Sequence, residues 1–106
     1  MANEIVVLVT CGSAREARKI AHVLVEKRLA ACVNVATSPV ESVYRWKKNV
    51  ETAREFLLVI KTTRPKFNAL QREIQRLHSY DVPEIIALPI RAGSPAYLRW
   101  LSESVR

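Results

Sequence analysis

His78-Ser79-Tyr80-Asp81-Val82-Pro83-Glu84 crowds an imidazole, a phenol and two carboxylates into one corner, where a helical pattern ends and an apolar strand begins. Packing alone does not call for these residue types, and such junctions are where a rigid scaffold most often carries its functional side chains. His78 is the side chain able to exchange a proton near neutral pH. With a thiol or carboxylate beside it, the same imidazole becomes a ligand for a soft or borderline metal such as copper or zinc. A plainer role is also open, with His78 interacting with a helix dipole and Tyr80 and Pro83 acting as turn residues.

Composition narrows the classes. The 106 residues, 49% of them hydrophobic, suit one small core, so residues 1–106 read as a single domain. No apolar run reaches the ~18 to 20 residues of a membrane span, and Met1-Ala2-Asn3-Glu4 leads into a strand without signal-peptide features. The expected location is cytoplasmic, with no membrane partner. Net charge is +7, yet the basic residues are spread over every segment, among them Arg15, Arg28, Arg45, Lys61 and Arg76. That dispersal points to a solvated surface and not to a nucleic-acid footprint.

The elements that must position the corner follow from periodicity. Glu4 to Thr10 is a β-branched, nearly continuous apolar run, a covered strand. Ser13 and Glu16 have capping-box spacing, and Ala17, Ile20, Ala21, Leu24 and Val25 continue a helix from about Ala14 to Leu29. His22 falls on its charged face and reads as solvated. Ala31 to Trp46 reads as one long second strand interrupted near Thr37-Ser38-Pro39. Lys47-Lys48-Asn49 is the turn, with Asn49 the residue best able to take a left-handed conformation, and Val50 to Thr62 returns as the third strand. Pro65 opens a second helix that runs to the His78 corner. Ile85 to Ile90 is the fourth strand, and Ser94-Pro95 caps a last helix with Leu98, Leu101 and Val105 on its apolar side.

This order predicts an α+β, ferredoxin-like βαββαβ sandwich with an extra C-terminal helix and a long hairpin between the second and third strands. A right-handed crossover puts the third strand between the first and second, and the fourth beside the first. The end of the first strand then meets the start of the fourth, which places Cys11 near His78, Tyr80 and Glu84. Cys32 begins a strand at the other side of the sheet, roughly 20 Å from Cys11, too far for a disulfide. Cys32 reads as a buried small apolar residue. Strands of 13 to 16 residues would extend roughly 45 to 50 Å, so the hairpin should overhang its domain. Such a ribbon, carrying Tyr44 and Trp46, needs a partner surface.

Arg28-Leu29-Ala30-Ala31-Cys32-Val33-Asn34-Val35, Ser42-Val43-Tyr44-Arg45-Trp46, Glu55 with Ile60-Lys61-Thr62, the His78 to Glu84 corner, and Tyr97-Leu98-Arg99-Trp100-Leu101 resemble the signature blocks of the CutA divalent-cation-tolerance family. The resemblance covers nearly the whole chain in order. It implies a homotrimer whose long hairpins pack on neighbouring subunits, and a role in tolerance of divalent metals such as copper. Two departures stand out: Ser79 replaces the family's usual Pro, and Lys48-Asn49 replaces a Gly in the hairpin turn. Where some members have a first-strand Cys and a second corner His, this chain has Val9 and Leu77, so His78 alone carries over.

Two functional classes follow. In one, a trimer binds a soft metal through His78, Cys11 and Glu84. In the other, a trimeric signalling or scaffold module binds a partner or small anion in clefts between subunits through Lys61, Tyr44, Trp46, Tyr80 and Glu84, with Tyr44 and Trp46 also at the oligomer interface. Catalysis has little support, because the chain has two Gly, no phosphate-binding loop and no nucleophile elbow. No required cofactor is expected.

Overall fold

The computed structural model describes residues 3–106, so the reading of Met1 and Ala2 lies outside the described residues. Five strands and three helices follow one another as β1 (Glu4–Cys11), α1 (Ala14–Glu26), β2 (Cys32–Val35), β3 (Val40–Trp46), β4 (Asn49–Thr63), α2 (Phe67–Leu77), β5 (Ile85–Pro89) and α3 (Pro95–Ser104). A single 3-10 turn, Arg64–Lys66, precedes α2 and holds Pro65 near its start. The sheet order is β2-β4-β1-β5, with β3 paired to the far end of β4. All pairings are antiparallel, as the βαββαβ reading requires.

Alternation along the strands separates a covered face from an open one. Ile5, Val7, Val9 and Cys11 of β1 join Leu58 and Ile60 of β4 beneath Ala17, Ile20 and Leu24 of α1 and Leu70 and Ile74 of α2. The other face holds a smaller cluster, where Leu101 and Val105 of α3 pack with Ala31 and Ile90. Each fully buried Leu or Ile here contributes about 1.5–3 kcal/mol of transfer free energy.

Several local readings change. α1 ends at Glu26, three residues before Leu29, because Arg28 turns left-handed at φ 58°. The Arg28 N–H donates to Val25 O at 3.1 Å and the Leu29 N–H to Leu24 O at 2.9 Å, the paired bonds of a Schellman stop. The stop was hidden because it lacks the usual glycine. The long second strand is two strands, β2 and β3, since the Pro39 region breaks the ladder with β4 between Val35 and Val40. In the hairpin turn, Trp46 pairs with Asn49, so Lys47 and Lys48 form a two-residue loop and take the left-handed conformation themselves, at φ 49° and 76°. A primed two-residue turn matches the twist of the strands and needs positive φ at both central positions, which leaves Asn49 inside β4.

The hairpin overhangs as expected. β1 covers β4 from Phe56 onward and β3 covers it from Asn49 to Glu55, so β4 changes partners at Glu55. The molecule measures 44 × 26 × 25 Å. Val43, Tyr44, Trp46 and Val50 are all exposed on the arm.

Candidate metal centre and the tyrosine-carboxylate site beside it

Three elements end at the same place. β1 delivers Cys11; Gly12 and Ser13 then turn the chain into α1, where the Ser13 hydroxyl accepts from the Glu16 N–H at 3.1 Å. α2 stops at Leu77, and His78 follows in an extended conformation with its N–H on Ile74 O at 2.8 Å. Ligand atoms of Cys11, Glu16 and His78 all lie within 4.8 Å of one another.

Hydrogen bonds set the state of His78, whose ring is buried. Nε2 lies 2.8 Å from Thr10 O, which only accepts, so Nε2 carries the proton. Nδ1 accepts from the Tyr80 N–H at 3.1 Å, so it presents a lone pair, and it faces Glu16 Oε2 at 3.3 Å. A ring nitrogen donated to a backbone carbonyl, with the other nitrogen turned to a carboxylate, is the arrangement that orients a metal-binding imidazole. Glu16 also accepts from the Ser79 N–H at 3.3 Å, which ties α1 to the corner. The Cys11 thiol is fully enclosed; burial pushes it up to about 12, and the charges of Glu16 and Glu55 add to the rise. It is a protonated thiol at neutral pH, so a metal would have to displace its proton.

The donor set fits copper or zinc. It is not the set expected from sequence: the carboxylate beside Cys11 and His78 is Glu16, while Glu84 is exposed and outside the group. The register explains this. Leu8 pairs with Ile86 and Val9 with Ile85, so alternation carries Glu84 to the sheet face opposite that of Cys11. Glu16 was legible only as a helix cap, and its capping spacing five residues after Cys11 was the available signal. Cys11 and Cys32 are both free, and Cys32 is half-buried.

Within one chain, the residues expected to line a cleft between subunits lie in two places. Tyr80 packs its ring 4.7 Å from that of His78 and donates its hydroxyl to Glu55 Oε2 at 2.9 Å. Burial first, then the Glu55 hydrogen bond and the neighbouring charges of Glu55, Tyr44 and Cys11, push its phenol up to about 12. Gly12 makes room for it: a Cβ there would come within 3.2 Å of the Tyr80 hydroxyl. Tyr44 and Trp46 lie on the same face of the hairpin as Glu55. Lys61 is elsewhere, six residues or roughly 20 Å along β4, donating to Asn34 Oδ1 and to Val59 O. It makes no ion pair with Glu84 among the described residues. Glu55, Gly12 and Thr10 drew no site assignment from the sequence, because a strand Glu and a loop Gly carry no motif.

Comparison with known proteins agrees with this architecture. Residues 5–104 match the model of the family described as CutA1 divalent ion tolerance protein. The Divalent-cation tolerance protein CutA of Thermus thermophilus is 50% identical over 101 residues, covering 95% of this chain and 97% of that protein. A solved structure of the Thermus thermophilus protein superposes with a TM-score of 0.94, covering 97% of this chain and 99% of that one. The structure described as the periplasmic CutA of Archaeoglobus fulgidus, 39% identical, gives 0.93 over 97% of this chain and 99% of its own. The chloroplastic Protein CutA of Arabidopsis thaliana is 45% identical over 102 residues, which span 96% of this chain and 56% of that longer protein. None of these names describes a catalysed reaction. Among the described residues no helix is long and apolar enough to cross a membrane. With its fold, its hairpin arm and nearly all of its length matched, the chain belongs to the CutA1 divalent ion tolerance protein family.

Proposed function

We propose that the chain serves divalent-cation tolerance as a non-enzymatic homotrimer that binds copper or zinc at Cys11, Glu16 and His78. One observation carries the metal reading: a thiol, a carboxylate and an imidazole from three elements approach within 4.8 Å, the imidazole already locked through Nε2 to Thr10 O. Such a set selects soft or borderline cations over calcium or magnesium. Binding would exchange the Tyr80 N–H at Nδ1 for the metal, and so would couple the site to the Tyr80-Glu55 pair.

Open edges support the trimer. Among the described residues β2 and β5 each lack a partner on one side, Ile86 and Leu88 are about half exposed on the open sheet face, and the arm presents Tyr44 and Trp46. A head-to-tail contact repeated by rotation closes such edges into a ring. Light scattering should return three times the 12.0 kDa chain mass. Calorimetry with Zn(II), and with Cu(I) under reductant, should show saturable binding that His78→Ala largely abolishes while the mass is unchanged. No binding by the native chain, or undiminished binding by His78→Ala, would reject the metal site.

A further inference from the structure

Glu55 is a carboxylate only 9% exposed, and no Lys, Arg or His among the described residues forms an ion pair with it. Among the described residues its one hydrogen bond comes from Tyr80 to Oε2. No side-chain polar atom of the described residues is both enclosed and unpartnered, so Oε1, which accepts nothing, opens to solvent. A largely buried anion is costly without a countercharge. The described residues of this chain, whose net charge is +7, do not supply one here.

The surroundings state what would. Val40 pairs with Glu55 and Tyr44 with Glu51, so Tyr44 and a second carboxylate share this face of the hairpin, and Tyr80 closes it from the corner. Two phenols offer hydroxyl groups and ring faces, and a ring face attracts an organic cation. We propose that Glu55, Tyr80 and Tyr44 form a receptor for an alkylammonium or guanidinium group. A hard divalent cation would need several more anionic or carbonyl oxygens than this face provides. An anion would meet Glu51 and Glu55 with Lys61 roughly 20 Å away. The cationic group comes from a free amine or from a basic side chain of a neighbouring copy. The inference uses residues outside the Cys11 group, to which Tyr80 is joined through its N–H on His78 Nδ1.

Methylguanidinium chloride, titrated against sodium chloride of equal ionic strength, tests it by amide NMR. If the group is a free amine, Gly12 and Tyr80 should show saturable shifts, weakened about tenfold or more by Glu55→Gln. If a neighbouring copy occupies the receptor, methylguanidinium will move nothing and Glu55→Gln will instead raise the dissociation constant of the assembly by about tenfold or more. Should Glu55→Gln fail to fold, Glu55→Asp retains the charge but withdraws it by one methylene, with the same losses expected. Shifts no larger than those of sodium chloride, together with unchanged assembly in the Glu55 variants, would overturn the proposal.

Discussion

The Cys11 thiol offers the sharpest test of the metal centre, because its burial fixes how binding must depend on pH. With the thiol pushed up to about 12, essentially every Cys11 carries its proton through the neutral range, and one proton must leave for each metal bound through sulfur. The affinity should therefore rise about tenfold for each pH unit from 7 upward. An ordinary thiol would flatten this slope above pH 9.0, whereas here the climb should continue past that point. Zn(II) competition against a chelator at several pH values measures the slope, and calorimetry in two buffers of different ionisation enthalpy counts the proton. Cys11→Ser should flatten the dependence and reduce affinity. A slope of one that survives in Cys11→Ser would mean the proton comes from elsewhere, and levelling near pH 9 would mean the thiol is not held in the enclosed state described.

Other outcomes follow from particular residues. Replacing Lys47-Lys48 by Asn-Gly places left-handed-tolerant residues where φ is 49° and 76°, and should stabilise the hairpin by about 0.5–1 kcal/mol in thermal or urea unfolding; no gain would count against the strain. Trp46→Ala should weaken assembly by about 2 kcal/mol while Lys47→Ala leaves it nearly unchanged, as read by sedimentation over a dilution series. Between Lys27 and Arg76, the Glu73 carboxyl is lowered to about 2, so its contribution is present above pH 4.5 and is lost as pH falls toward 2. Glu73→Gln should therefore narrow its stability deficit in that acid window. On the alkaline side the raised Cys11 and Tyr80 stabilise below their ordinary values and lose that contribution as pH rises to about 12, so Tyr80→Phe should flatten the decline above pH 10.0.

Much of this was determined by local pattern. Periodicity of two in β1 and β4 and of 3.6 in α1 and α2 is written directly in the positions of Val, Ile and Leu, because each element buries one face. From those elements the handedness of crossovers leaves few topologies, which is why the meeting of Cys11 with the His78 corner was legible before any coordinates. The left-handed turns at Arg28 and at Lys47-Lys48 were not, since neither carries the glycine that normally marks positive φ and the surrounding contacts impose the conformation. Nor was the choice of carboxylate. Chain adjacency favoured Glu84, but alternation across the sheet turns it away from Cys11, and only the packing of α1 against β1 and α2 brings Glu16 to the imidazole. Glu55 beneath Tyr80 is likewise a tertiary fact: its strand position places it on the open face, and the burial that gives its charge meaning comes from a phenol 25 residues away in sequence.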